Sequence, residues 1–200
     1  MNASPPVSKY VPAIVVGFLV AFVVSAGFSM LLRSAGVSPG MTPMFIGGFL
    51  GVFTAYIMAN LAGTKRGKAA TAEQKQAVLD FHPEPGKAML IVFREGFVGM
   101  AAGMDLLIDD QFVAQLKSPR FTAISVEPGG HQISMAFGGL AGKQNKPTLE
   151  GFIAAPGEII AFRATMAMGA LKNRILLERI ESRDTLTLRL KPMTMIAPSV

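Results

Sequence analysis

Three aspartates and one histidine are the residues whose types could support binding or catalysis. Asp105, Asp109 and Asp110 lie close together in the sequence, and hard divalent cations prefer carboxylate oxygens as ligands. Asp109 and Asp110 also suit a tight turn. His131 follows a Pro-Gly-Gly turn, with no second histidine, cysteine or acid beside it, although metal ions and catalytic bases need such neighbours. We therefore expect no catalytic, cofactor-binding or metal-binding residues, and a ligand-sensing, metal-sensing or enzymatic domain built on these four residues is the alternative.

The remaining composition excludes several other functions. The glycine-rich stretch 138–144 has Phe137 where a phosphate loop needs its first glycine, and no Ser or Thr follows Lys143, so we interpret it as an interstrand loop. Cysteine is absent, which excludes disulfides, thiolate metal sites and an acylated lipoprotein cysteine. The net charge of +6 is spread over both signs without Trp, so we expect no nucleic-acid partner.

Two long apolar stretches predict a transmembrane helical hairpin over residues 1–64. The first span covers about 11–32 and the second about 43–62, and Arg33 is the only charged side chain between Lys9 and Lys65. At 1.5 Å per residue the first span reaches about 33 Å, enough for a hydrocarbon layer of about 30 Å. A signal peptide cleaved near Val24-Ser25-Ala26 is the alternative for the first span, although its apolar run is longer than usual.

Small residues recur along both spans and predict close packing of helix backbones. The helices could pack against each other or against a partner subunit in a homo-oligomer, and a channel lined by these stripes is a weaker alternative. Neither span carries an ionisable acid, base or histidine, so a transporter or pump is not expected. The packing residues predicted here are Gly17, Ala21, Ser25 and Ser29 in the first span and Gly47, Gly51, Ala55 and Ala59 in the second.

Basic residues near the span ends predict the orientation. Lys65, Arg66 and Lys68 follow the second span, whereas Lys9 and Arg33 are the bases of the other flanks. By the positive-inside rule, both termini and the C-terminal domain are predicted to be cytoplasmic, in a multi-pass protein of the bacterial inner membrane. The same three bases could hold the following segment at an anionic lipid surface.

Beyond the spans, residues 65–87 are predicted to form a basic juxtamembrane linker and residues 88–196 an all-β domain. The linker contains a short helix that begins with a capping box from Thr71 to Gln74 and ends before the Pro-rich stretch 82–86. The apolar pattern then changes to a period of two, and breaker-rich turns separate short strands, which favours an antiparallel β-sandwich of about nine strands. The strands are predicted at 88–94, 105–109, 111–116, 121–126, 131–136, 148–154, 158–165, 174–180 and 185–190.

The turns of this domain resemble those of the PEGA family and a related domain-of-unknown-function family of bacterial envelope lipoproteins. The matching positions lie within about residues 88–190: Ile108-Asp109-Asp110, Val113–Leu116, Pro128–Ile133 and the strand from Pro156 to Phe162. The resemblance implies a β-sandwich in an envelope setting, and hence a periplasmic domain as the alternative location. Asp110 replaces the usual turn glycine, and the lipid-bearing cysteine is missing. We give the charge pattern more weight, because it acts directly on membrane insertion.

Two apolar segments suggest how the domain functions. Residues 96–104 read GFVGMAAGM and residues 165–171 read TMAMGAL, whereas loops are polar unless they contact something. Met100, Met104, Met166 and Met168 are therefore candidate contacts with the bilayer, the span ends or a partner protein, and burial as strand extensions is the alternative. Together these features predict a non-catalytic, membrane-anchored binding or scaffold protein in a membrane or envelope complex.

Overall fold

The computed structural model describes residues 7–61, 67–138, 146–169 and 173–199. The chain divides into two compact units, Met1–Gly63 and Thr64–Val200. Lys65, Arg66 and most of the glycine-rich stretch 138–144 lie outside the described residues.

Two long apolar helices form the first unit. After a 3-10 turn at Val7–Tyr10, helix α1 spans Val11–Ser34 and helix α2 spans Thr42–Leu61. These bounds agree with the predicted apolar stretches. The turn between the helices places Gly36 and Gly40 at φ of 74° and 55°, a left-handed conformation that glycine adopts without steric cost.

The two helices pack through their small residues. A Cβ placed on Gly17 would lie 2.7 Å from the Ala55 Cβ and from the Gly51 carbonyl oxygen, so the backbones approach too closely for a larger side chain. Gly47 is equally crowded by the Ala21 carbonyl oxygen and Ser25. The Ser25 hydroxyl also donates to the Pro43 carbonyl at 3.1 Å. Ser29 and Ala59 are only partly buried, and the Ser29 hydroxyl donates to the Ser25 carbonyl of its own helix.

The second unit contains two sheets formed by nine strands of the described residues. One sheet has the order β8-β7-β1-β4-β9 and the other β3-β2-β5-β6. The strand bounds are β1 Ala88–Arg94, β2 Met104–Ile108, β3 Gln111–Leu116, β4 Arg120–Val126, β5 Gly129–Phe137, β6 Thr148–Ala154, β7 Ile159–Ala167, β8 Arg174–Arg179 and β9 Thr194–Met195.

The prediction of wholly antiparallel pairing is wrong for the first sheet. Strand β1 pairs in parallel with β7, and β4 pairs in parallel with β9, while the other pairs are antiparallel. The turn after Val126 and the turn between Ala154 and Ile159 each lead from one sheet to the other. Among the connections that the structure describes, only the Asp109-Asp110 turn makes a two-residue hairpin, and it places both residues at positive φ, 48° and 63°.

The last predicted strand, 185–190, is also wrong, because this segment is helix α4, Arg183–Leu190. The Ser182 side chain accepts a hydrogen bond from the Thr185 backbone N–H and caps the helix. Leu186 and Leu190 are buried and four residues apart, so they satisfy a helical period as well as the alternation expected of a strand. Leu188, which the strand would place on their side, is exposed.

The predicted capping box of the linker is confirmed in helix α3, Ala72–Leu79. The segment containing it packs on the C-terminal unit. The Lys75 ammonium donates to the carbonyls of Lys191 and Met193 at 2.8 and 2.7 Å, and Ala69 bridges to Ile196.

Strand β1 is buried along its whole length because its two faces contribute to different hydrophobic clusters. Ala88, Leu90 and Val92 join residues of both sheets in one cluster. Met89, Ile91 and Phe93 face the other way and pack with residues of α4 and with Val78 of α3. An unbroken apolar run is the pattern expected of such a strand.

Candidate functional site

A buried arginine organises one edge of the C-terminal unit. Arg94 ends strand β1 and is only 1% exposed. Its guanidinium donates to the carbonyls of Gly99 at 2.6 Å and Leu116 at 3.0 Å, and to that of Ala102. Burial lowers the pKa of Arg94 to about 10, so the group stays charged near neutral pH. Arg94 thereby fixes the loop 95–103 to the end of strand β3.

The sequence analysis did not single out Arg94. The available signal is its position, since it is the only charge in the apolar strand AMLIVFR and it directly precedes a glycine-containing loop. A lone cation in such a strand must find acceptors when it is buried. Two of the carbonyls that supply them belong to the loop that follows, but the third, Leu116, is 22 residues away and requires the tertiary structure.

Glu95 holds the start of the same loop through an ion-pair network. Its carboxylate is 3.2 Å from Arg163 Nε and also accepts from Arg189 Nη1. Arg163 in turn lies 3.2 Å from the Glu178 carboxylate. The network connects the loop to β7, β8 and α4, and it gives Glu95 a structural role.

The four methionines predicted as contact residues fall into different environments. Met104 begins strand β2 and is fully buried in the cluster shared by the two sheets. Its assignment as a surface contact is therefore wrong. Met166 is partly buried in β7 and packs against the same cluster, as the strand-extension alternative expects. Met100 and Met168 are exposed, and Phe97, which the methionine pattern did not single out, is 86% exposed.

His131 and Asp109 form a second polar constellation, at the Asp109-Asp110 turn. His131 Nδ1 lies 2.6 Å from Asp109 Oδ2, and Nε2 lies 2.7 Å from the Glu127 carbonyl oxygen. Asp109 Oδ1 accepts from the Gln132 backbone N–H at 2.9 Å. Since both partners of the imidazole are acceptors, the contacts favour the doubly protonated ring, in which neither nitrogen has a lone pair for a metal ion or a substrate proton.

The pKa directions agree with this arrangement. The hydrogen bond to Asp109, followed by that to the Glu127 carbonyl, raises the pKa of His131. Partial burial pushes the pKa of Asp109 upward, but the hydrogen bonds from His131 and Gln132 outweigh it, so the pKa of Asp109 is lowered. Below the raised pKa of His131 the pair is a charged, structural contact that ties the β2–β3 turn to β5.

The pair borders an open depression of about 690 Å³. The His131 ring stacks on Phe152 with a centroid distance of 5.4 Å. Arg179, which also lines the depression, is 2.7 Å from the Glu158 carboxylate. Three charged or titratable side chains that line the depression, Asp109, His131 and Arg179, are thus each paired.

The three aspartates predicted as a cation-binding alternative are not brought together. Asp105 lies in strand β2, four residues before Asp109, which corresponds to about 13 Å along an extended chain. The Asp105 carboxylate instead accepts from Gln115 Nε2 at 2.6 Å. Within the described ranges, no group of three His, Cys, Asp or Glu side chains is placed to hold a metal ion.

Helices α1 and α2 are long and apolar enough to cross a membrane. The windows Val11–Ser34 and Thr42–Ala59 have mean hydropathies of 2.5 and 1.5. Three bases, Lys65, Arg66 and Lys68, were predicted to set the orientation. Of these, Lys68 lies within the described residues, and its side chain is exposed.

Comparison with known proteins identifies one similar segment. No family model matches the chain. A 66-residue stretch is 33% identical to an uncharacterized protein of Haemophilus influenzae and covers 32% of this chain. The chain spans about two fifths of that relative's length, since the match covers 39% of it. The relative's description assigns no activity.

Proposed function

We propose that this chain is a non-catalytic, membrane-anchored binding or scaffold protein, acting as a subunit or accessory of a bacterial membrane or envelope complex. The observation that carries the proposal is that the helix pair buries its small residues and exposes its large apolar side chains. Glycines and small residues face the helix contact, whereas Phe18, Phe22 and Phe49 point away from it and are exposed. A water-soluble helix pair buries its large apolar side chains, so this arrangement suits a hydrocarbon surrounding.

The orientation we propose places both termini and the C-terminal unit in the cytoplasm, with the inner membrane as the location. Lys65, Arg66 and Lys68 support it through the positive-inside rule. The periplasmic arrangement implied by the family resemblance is the competing proposal.

For the C-terminal unit we propose a PEGA-like β-sandwich over about residues 88–190. The buried cluster that includes Leu90, Leu106, Ile133 and Phe162 supports this, because it joins residues of both sheets. The parallel pairs β1–β7 and β4–β9 are a departure from the wholly antiparallel arrangement expected of such a domain.

A binding role without catalysis is supported by the engaged state of the polar side chains. Both nitrogens of His131 have acceptors, and Asp105 and Asp109 are separated along the chain. The ligand-sensing alternative has the depression beside Phe152 as its support. If it is correct, divalent cations or nucleotides should raise the melting temperature of the full chain in detergent, and an Asp109→Asn variant should lose the effect.

Two measurements test the anchor and its direction. Alkaline carbonate should fail to extract the full chain from membranes, and extraction would contradict the anchor. Paired reporter fusions after Val200, one active in the cytoplasm and one in the periplasm, should give only the cytoplasmic signal. A periplasmic signal would show that the charge argument is wrong or that the first helix is cleaved.

A further inference from the structure

Strand direction defines two ends of the C-terminal unit. Strand β7 is parallel to β1, so the residues that follow these two strands lie at the same end of the sheet. Strand β4 is antiparallel to β1 and β8 is antiparallel to β7, so the residues that precede β4 and β8 lie at that end as well. The Arg94 hydrogen bond to the Leu116 carbonyl brings the end of β3 there as well. We call this the loop end, since it carries the loop 95–103, and we call the other the turn end, which carries the Asp109-Asp110 turn.

The loop end presents a fixed apolar surface. Phe97, Val98 and Met100 are exposed on the loop that Arg94 holds in place. Met168 is also exposed, and Met166, two residues before it, packs beside Gly99, where an added Cβ would lie 2.6 Å from the Met166 Cε. The apolar side chains of β7 and of the loop are therefore neighbours on one surface.

Basic residues lie at the same end of the unit as this apolar surface. Two acids near this end are already engaged, Glu95 with Arg163 and Arg189, and Asp105 with Gln115. Glu73, in the first turn of α3, is a further acid. The bases placed at this end by the strand and helix bounds are Arg120, Lys146, Arg174 and Lys191.

The turn end has the opposite character. Three of its bases, Lys87, His131 and Arg179, form ion pairs with acids of the same end. Acids predominate in its turns, which contain Glu84, Asp109, Asp110, Glu127, Glu158 and Glu181. The unit is thus polarised along its strands, with a basic and apolar loop end and an acidic turn end.

The polypeptide joins this unit closer to the loop end. Gly67 lies beside Ile196. A Cβ placed on Gly67 would be 3.9 Å from the carbonyl oxygen of Gln115. Gln115 is the next-to-last residue of β3, whose last residue is at the loop end. Gly67 is six residues beyond Leu61, the last residue of α2, and six residues of fully extended chain span at most about 22 Å. A membrane that holds α2 is therefore within short reach of the unit.

We propose that the loop end docks on an anionic lipid bilayer, with Phe97, Val98, Met100 and Met168 inserted among the headgroups and the bases of the same end on lipid phosphates. This inference rests on the proposed membrane anchor. Apolar side chains together with lysine and arginine are the composition that binds anionic bilayer surfaces, and the acidic turn end is repelled by the same surface.

Site-directed spin labelling of the full chain tests this docking, because the natural sequence contains no cysteine. Single variants Phe97→Cys and Met168→Cys report on the loop end. Ile153→Cys is the matched control, since Ile153 and Met168 are both 75% exposed and Ile153 lies towards the turn end. Phe22→Cys in α1 reports on the anchor. Each is reconstituted in vesicles of phosphatidylcholine and phosphatidylglycerol, and relaxation by oxygen is compared with relaxation by a water-soluble nickel complex.

The proposal expects an oxygen-to-nickel accessibility ratio several-fold higher at Phe97→Cys and Met168→Cys than at Ile153→Cys. Omitting phosphatidylglycerol should lower the ratio at both loop-end positions. Equal ratios at all three positions would overturn the docking while a high ratio at Phe22→Cys preserves the anchor. A low ratio at Phe22→Cys would overturn the anchor itself. Protection of Phe97→Cys from both oxygen and nickel would show a protein partner there and would also overturn the docking.

A charge variant supplies a second readout. The double substitution Lys146→Gln with Arg174→Gln removes two exposed bases of the loop end, and it should lower the accessibility ratio at Phe97→Cys. Arg183→Gln, which removes an exposed base at the turn end, is the control and should leave the ratio unchanged. An unchanged ratio in the double variant would contradict the role of charge.

Discussion

At the scale of single residues, Arg94 has the largest predicted effect on stability. Arg94→Leu removes the buried guanidinium donor from the carbonyls of Gly99, Ala102 and Leu116, although the Gly99 carbonyl still accepts from the Ala102 backbone N–H. Buried acceptors without partners cost about 1–3 kcal/mol each before relaxation, so we expect a loss of about 3 kcal/mol in the free energy of unfolding. Denaturant titration in detergent measures it. Arg174→Leu, at an exposed position, is the control and should change the value little, and an equal loss in both variants would contradict the clamp.

His131 and Asp109 predict a pH dependence of stability. The pKa of His131 is raised above its ordinary value of 6.5, so its stabilising contribution is complete below that pH and is lost as pH rises through the folded-state value. Asp109, whose pKa is lowered, contributes above its ordinary pKa and loses its contribution as pH falls through the folded-state value. Because Asp109 is half exposed, we expect less than about 1 kcal/mol.

The measurement compares wild type with His131→Gln. The difference in the free energy of unfolding should shrink as pH rises above 6.5 and through the raised folded-state pKa of His131. Asp109→Asn should reduce the dependence in the same way, whereas Asp110→Asn, in the same turn, is the control and should retain the wild-type profile. A wild-type pH profile in His131→Gln would show that the pair contributes nothing.

At the scale of elements, the helix pair depends on close backbone approach. Gly51→Val would place its Cβ 2.5 Å from the Gly17 carbonyl oxygen, and because the obstacle is backbone, the helices must move apart. Overpacking of this kind costs about 1–3 kcal/mol. Gly48→Val in the same helix has no heavy atom within 4 Å and is the control. Thermal unfolding of the helices in detergent should separate the two variants, and equal stability would argue against the packed hairpin.

Helix α4 predicts different sensitivities for two leucines two residues apart. Leu186 is 2% exposed and Leu188 is 77% exposed. Leu186→Ala should cost about 2–4 kcal/mol because it leaves a cavity against the sheet, whereas Leu188→Ala should stay within about 0.5 kcal/mol. Denaturant titration of both variants distinguishes the helix from a strand, since a strand would place both leucines on one face and make their losses similar.

At the scale of the whole molecule, the division into two units predicts that residues 67–200 fold without helices α1 and α2. Both hydrophobic clusters, including the contributions of α3 and α4, consist of residues of the C-terminal unit. We expect this fragment to show β-rich circular dichroism and a cooperative thermal transition, because its core is complete. A non-cooperative transition with exposed hydrophobic surface would show that the helices are needed for folding.

Local sequence patterns determined the elements that depend on neighbouring residues. The apolar stretches from Val11 and Pro43 predicted two long helices, the Thr71–Gln74 capping box predicted α3, and the period of two predicted eight of the nine strands to within about three residues. The turn aspartates Asp109 and Asp110 were also identified. Each of these features follows from steric preferences and hydrogen bonds over a few residues, so one sequence was sufficient.

The tertiary structure decided the features that depend on residues far apart in the chain. Leu186, Leu188 and Leu190 fit a strand and a helix equally well, and the position of the first sheet's outer face selected the helix, which buries only two of them. The parallel partner of β1, the burial of Met104, the Leu116 acceptor of Arg94 and the Asp109 acceptor of His131 likewise depend on distant segments. Pairing and burial are set by competition among all segments for the same core, and this competition has no local signature.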